Sequence, residues 1–170
     1  MATSLVSFNT NGCADPAKRQ QLFEFLKMTD GHVFLLSETH TTPLSERNWS
    51  DKWQGQGLFS HGTSTAGGVA ILFSNNLDVD ILSSKELLPG RCLFASVRFH
   101  GFTFNIINIH APNQGADRLA FLPILDDLLR RSTRMTSPSL PATLIQRLIR
   151  RSTAEAAKRA TFPRAGPSRV

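Results

Sequence analysis

Apolar positions along the chain change period several times, and each change marks a predicted element. Thr3 to Phe8 is a run of strand length. Pro16 then opens a predicted helix with Asp15 as its N-cap, since proline fits the first turn and a carboxylate accepts the free N–H groups there. Within it Leu22, Phe23, Phe25 and Leu26 recur at helical spacing against Lys18, Arg19, Gln20 and Lys27. Asp30-Gly31 ends that helix, and His32 to Ser37 is nearly continuous apolar, as in a strand covered on both faces. Strand, helix, strand predicts a right-handed crossover that brings both strand ends to one edge of a sheet.

Residues 41–66 are polar apart from Trp49 and Trp53 and read as a loop with short strands. Gly67-Gly68 precedes a strand over Val69–Phe73, stopped by Ser74-Asn75-Asn76. Leu77 to Leu82 partly alternates, as a half-exposed strand does. Leu93–Phe99 and Phe102–Ile109 flank His100-Gly101, a hairpin signal. Gln114 to Arg131 is predicted helical, with Leu119, Leu122, Leu125, Leu128 and Leu129 on one side. Beyond it Leu140, Leu144, Ile145, Leu148 and Ile149 make one apolar stripe, and Pro163 and Pro167 make the last ten residues irregular.

Composition adds two constraints. A chain of 170 residues with 41% apolar content and twelve Phe is long enough for one domain with a core. The formal charge of +6 is unevenly placed: residues 1–131 hold eleven Lys/Arg against twelve Asp/Glu, and residues 132–170 hold eight against Glu155 alone. We therefore expect a folded part at 1–131 and a basic Ser/Pro/Arg-rich tail at 132–170, largely disordered or forming one short helix. Cys13 and Cys92 have neither disulfide-framework nor metal-ligand spacing. No apolar run is long enough for a membrane span, and the first residues lack the basic and apolar regions of a signal peptide. The expectation is an intracellular protein rather than a secreted one, with the nucleus left open by the sparse Arg147, Arg150 and Arg151.

The chemistry sits where apolar runs end. Val6-Ser7-Phe8 runs into Asn9-Thr10-Asn11-Gly12, Leu35-Leu36-Ser37 into Glu38-Thr39-His40, and Ile106-Ile107-Asn108-Ile109 into His110-Ala111-Pro112-Asn113. One carboxylate with amide oxygens is what a hydrated Mg²⁺ asks of a protein. Singly each has a plainer explanation: Asn-Gly is a favoured turn, Glu38 an ordinary strand-end residue, and His40 and His110 loop histidines. Their joint occurrence on strands that share an edge favours a site.

Taken in order, Ser-Phe-Asn-x-Asn-Gly, Ser-Glu-Thr-His, Gly-Gly-Val-Ala-Ile-Leu and Asn-Ile-His-Ala-Pro-Asn resemble the endonuclease/exonuclease/phosphatase superfamily. Nearest in character is the apurinic-like endonuclease domain of LINE-type retrotransposon reverse-transcriptase polyproteins. The resemblance covers residues 4–131. It implies an α/β fold, a partial four-layer α/β sandwich of the DNase-like type truncated before its second half, with the second sheet largely missing. It implies catalytic roles for Asn9 and His110, metal binding by Glu38 with Asn11, and phosphate or DNA contacts by Asn113 and His40. The implied cofactor is Mg²⁺, with Mn²⁺ as an alternative ion, and the implied partner is DNA; protein partners are left unspecified. His110 falls where the family usually has Tyr. An imidazole donates a hydrogen bond to a phosphate oxygen as a phenol does, and it titrates nearer neutral pH.

The family's Gly-Asp-Phe-Asn strand, which orients the attacking water, and its terminal Asp-His pair have no counterpart here. After Asp117 the only Asp are Asp126 and Asp127, both in the predicted helix, and no His follows His110. The expected function is that of a Mg²⁺-dependent phosphodiesterase or DNA endonuclease domain of retrotransposon type, weakly active or inactive in this chain. Two alternatives stay open. One is a superfamily phosphatase or phosphodiesterase with another substrate; the other is a non-enzymatic nucleic-acid binder that uses the basic tail.

Overall fold

A computed structural model describes residues 3–112, 115–134 and 143–148. Strand β1 (Leu5–Asn9) leads through α1 (Pro16–Met28) into β2 (Val33–Ser37). Then come α2 (Pro43–Trp53), β3 (Gly57–Ser60), β4 (Val69–Phe73), β5 (Asp80–Leu88), β6 (Cys92–Phe99), β7 (Phe102–His110), α3 (Gly115–Arg134) and β8 (Thr143–Leu148). The first sheet has the order β1-β2-β4-β3, with β1 and β2 parallel and the other pairs antiparallel. The second has the order β5-β6-β7-β8, antiparallel except for β7 and β8.

Side-chain alternation assigns each face of each sheet to a layer. Val33, Leu35, Val69, Ile71 and Phe73 of the first sheet pack against Leu93, Ala95, Val97, Phe99 and Ile106 of the second. The opposite face of the first sheet, Phe34, Leu36, Ala70 and Leu72, is covered by Leu22, Phe23 and Leu26 of α1 and by Trp49 and Trp53 of α2. The outer face of the second sheet, Cys92, Phe94, Ile107 and Ile109, lies under Phe121 and Leu125 of α3. The result is four layers, helix–sheet–sheet–helix. It explains the continuous apolar runs, because β2 and β4 are buried on both sides.

The structure corrects several expectations. The second sheet is not largely missing; it has four strands. Residues 43–53 are a helix rather than loop, started by Pro43 after Thr42, whose N–H donates to Ser45 Oγ at 2.9 Å. Only Trp49 and Trp53, one turn apart, are buried there, too few to show a period. Leu77 and Val79 are buried, but the strand they precede is β5 at Asp80–Leu88, a bulged and mostly exposed edge. Among the described side chains of α3, Phe121 and Leu125 are buried and Leu119 is exposed, while Leu128 and Leu129 lie outside the described side chains. Thr143–Leu148, read as part of a helical stripe, is a strand, because the open edge of β7 offers it hydrogen-bond partners. Leu140 and Ile149, the other members of that stripe, lie outside the described residues, as does Asn113. Among the described residues no helix is long and apolar enough to cross a membrane.

One polar side chain ties the two sheets together. Asn108 of β7 is fully buried, and its Nδ2 donates to Leu36 O at 2.8 Å and to Ala70 O at 2.9 Å. Its two bonds contribute roughly 2 kcal/mol, at about 1 kcal/mol net each, offset in part by its buried Oδ1, which has no partner among the described residues. Asn108→Ala is expected to lower the unfolding free energy by about 1–3 kcal/mol, bonds plus cavity less that offset, measured by urea denaturation.

Candidate active site at the sheet rims

Parallel pairing sets Asn9 opposite Ser37, so β1 and β2 release the chain at the same rim. The backbone ladder then continues past both strands. Thr10 N–H donates to Ser37 O at 2.9 Å, Gly12 N–H to Glu38 O at 2.7 Å, and Cys13 N–H to Thr39 O at 3.1 Å. Thr10 Oγ1 adds a bond to Glu38 O at 2.7 Å, so two donors grip the Glu38 carbonyl. Asn11, Glu38 and His40 all adopt left-handed backbone, with φ of 50°, 53° and 53°. Such conformations cost non-glycine residues of order 1 kcal/mol or more and persist where neighbours over-determine them. The neighbours here are the paired loop 10–13 and Gly67, whose carbonyl accepts from His40 N–H at 3.0 Å.

Across the sandwich, β7 brings His110 to the same place. His110 Nε2 lies 3.3 Å from Glu38 Oε1, and each side chain is only 11% exposed. The His110 backbone is held by its own N–H, which donates to Arg91 O at 2.8 Å, and Asn108 two residues before it lies on the same face of β7. Asn9 Oδ1 accepts from Asn11 N–H at 2.9 Å, so its carbonyl end stabilises the Asn-Gly turn. Asn11 itself is exposed at the rim. The His40 ring packs over Gly12: a Cβ at that position would come within 2.5 Å of His40 Nδ1, and its φ of 79° also suits glycine.

The structure thus joins Glu38 to His110 directly and brings Asn9, Asn11 and His40 to the same rim through the β1–β2 pairing. Thr10 and Asn108 are the residues that sequence reasoning missed. A polar residue on the inward parity of an apolar strand, two positions before His110, was the available signal for Asn108. Thr10 offered none, since a threonine in a polar turn is unremarkable. Two cavities of about 360 Å³ lie away from the rim, one beside Lys27, His32 and Gln54 and one beside Leu5, Phe99 and Phe102. Neither contains a candidate residue.

The donor set suits a hard cation that keeps most of its water: one carboxylate, Glu38, with an exposed amide at Asn11. Among the described residues no three His, Cys, Asp or Glu side chains cluster as a metal-holding group. Burial pushes the Cys92 thiol up to about 12 and raises Cys13 as well, so neither is a ready thiolate.

Residues 6–160 match the sequence profile of the Endonuclease/Exonuclease/phosphatase family. The Transposon TX1 uncharacterized 149 kDa protein of Xenopus laevis is 41% identical over 125 residues, 74% of this chain and 10% of that protein. The structure of AP endonuclease LMAP from Leishmania major superposes with a TM-score of 0.61 at 13% identity, covering 82% of this chain and 51% of that one. That of D. rerio TDP2 complexed with single strand DNA product gives 0.52 at 20% identity, covering 76% and 55%. The chain spans about a tenth of the transposon protein and about half of each of these structures.

The rim geometry sets two expected outcomes. Because residue 38 has left-handed backbone, Glu38→Gly should be more stable than Glu38→Ala by about 1 kcal/mol in urea denaturation. Glutamate would then be present at a conformational cost. Neither cysteine should react with iodoacetamide at pH 8 in the native chain, and both should react once it is unfolded in guanidinium, as read by mass spectrometry.

Proposed function

This chain belongs to the endonuclease/exonuclease/phosphatase family, and we propose that its rim is the Mg²⁺-binding half of a phosphodiester-cleaving site of DNA endonuclease type. The observation that carries this reading is the meeting of Glu38 and His110 from two different sheets at 3.3 Å. A carboxylate held in strained backbone beside an imidazole is a costly arrangement with no evident structural purpose. The transposon protein and the AP endonuclease among its relatives support DNA over a phosphomonoester or phospholipid headgroup.

In this reading Glu38 holds the ion and Asn11 supports it. Bound Mg²⁺ supplies charge stabilisation for the phosphate and the leaving oxygen. His110 Nε2, Asn113 and His40 address phosphate oxygens. Asn9 does so through its NH₂ end, since its carbonyl end serves the turn.

The weak point is the water. β8 comes after the long helix and reaches the rim, with Leu148 in register with His110, yet Thr143-Leu144-Ile145-Gln146-Arg147-Leu148 contains no carboxylate. Asp126 and Asp127 sit exposed on α3, on the far side of the second sheet. A missing general base typically removes a factor of 10²–10⁴, roughly 3–5 kcal/mol of barrier. Turnover by this chain is accordingly weak or absent.

A nicking assay on supercoiled plasmid with Mg²⁺ tests that expectation. Little or no nicking is expected, and EDTA-sensitive nicking abolished by Glu38→Ala would overturn it. Ion binding is tested separately by Mn²⁺ titration. Paramagnetic broadening should first reach the amides of Asn11, Gly12 and Glu38 and should be lost in Glu38→Gln; broadening elsewhere, or none, would remove the metal assignment.

A further inference from the structure

The open edges of the two sheets are protected unequally. β5 of the second sheet breaks register twice against β6 and carries Asp80, Lys85 and Glu86. Bulges and charges of this kind keep an edge from pairing with another strand. β1 of the first sheet, Leu-Val-Ser-Phe-Asn, has neither, and keeps unbroken register with β2. Among the described residues no strand pairs its outer side. Ser4 O and Thr10 N–H point towards β2, meeting Val33 N–H at 3.1 Å and Ser37 O at 2.9 Å. Backbone direction alternates along a strand, so the N–H and C=O groups of Leu5, Ser7 and Asn9 point to the open edge. Ser7 shares the inward parity of Leu5, and its Oγ is buried with no partner among the described residues. On the opposite face Phe25 of α1 meets Phe8 with ring centroids 5.6 Å apart and is 41% exposed. Met28, one turn on, is 87% exposed. Lys27, between them in sequence, turns the other way to meet Gln54.

We infer that β1 is a self-association edge, on which a second copy of this chain pairs antiparallel about a two-fold axis through Ser7. The strand is uncharged, so pairing it with itself sets no like charges opposite each other. The register about Ser7 places Leu5 opposite Asn9, and the outward backbone groups of all three residues meet in hydrogen-bonded pairs. A slip of one residue would set those groups against residues whose own N–H and C=O face β2. The two Ser7 hydroxyls then lie opposite each other on one face, and each supplies the partner the other lacks. That mutual pairing favours a second copy over an unrelated strand, and Ser7 over any other centre. Phe25 and Met28 stand where the two α1 helices come side by side across the axis, so the same contact covers them. Both β1 edges are used up, and association closes at two copies.

Analytical ultracentrifugation of the full chain across a concentration series should show a species of twice the monomer mass. Phe25→Lys and Met28→Lys, both at exposed positions, should each weaken it by about tenfold or more while the circular dichroism spectrum stays unchanged. The register is read by cross-linking. Opposed Cα atoms in a hydrogen-bonded antiparallel pair are about 5.5 Å apart, within disulfide reach. Ser7→Cys under mild oxidation should therefore give a linked dimer on a non-reducing gel. Ser4→Cys, set opposite Thr10 of the other copy, should not, and neither should the parent, whose Cys13 and Cys92 are buried. Should Ser7→Cys fail to fold, Leu5→Cys mixed with Asn9→Cys reports the same register, since the mixture links and neither variant links alone. A chain monomeric throughout would overturn the inference. So would a dimer that Phe25→Lys and Met28→Lys leave intact, or one that links through Ser4→Cys and not through position 7 or the 5–9 pair.

Discussion

The Asn108 amide lies fully buried between two sheets and gives both its hydrogens to carbonyls of the opposite sheet, Leu36 O and Ala70 O. Those carbonyls belong to β2 and β4, and Asn108 to β7, so one side chain fixes three strands just below the rim. Everything above depends on that closure. Glu38 is two residues beyond Leu36, and His110 is two residues beyond Asn108. Their approach is a consequence of the sheets being held in this register. A hydrophobic contact would resist separation equally well but tolerates sliding, whereas a two-bond amide clamp is directional.

The rim built on this clamp stores conformational cost at the proposed site. Asn11, Glu38 and His40 carry positive φ within two adjacent loops, and Thr10 and Gly12 both serve the Glu38 carbonyl. A fold optimised for stability alone would put glycine at position 38. Here glutamate holds that conformation against a histidine from the other sheet.

Much of the frame is legible in the sequence because its signals are local. The cap and proline that open α1, the continuous run of β2, the double glycine before β4 and the His-Gly hairpin between β6 and β7 all announce themselves. Strand order brings Asn9 and Glu38 to one rim once parallel β1 and β2 are inferred, whereas the meeting of Glu38 with His110, from the other sheet, is visible only in the structure. The elements that escaped share a common cause. α2 buries only two tryptophans, β8 has strand identity only through its pairing with β7, and the second sheet is completed by that non-local pairing. Thr10 and Asn108 act on carbonyls at least 27 residues away, so nothing in their own neighbourhood reveals them. Backbone acceptors leave no trace in side-chain identity.

The two halves of the rim are not equally firm. β2, which delivers Glu38, is buried along its whole length between two neighbours; β1, which delivers Asn9 and Asn11, is an edge strand of five residues, half-exposed and paired on one side only. Local opening draws on the least-buried pairings first, which puts β1 ahead of β2. The carboxylate then behaves as a fixed post and the amide loop beside it as a latch. A ligand that bridges the two would take up the slack in β1, and its affinity would include the free energy of seating that strand.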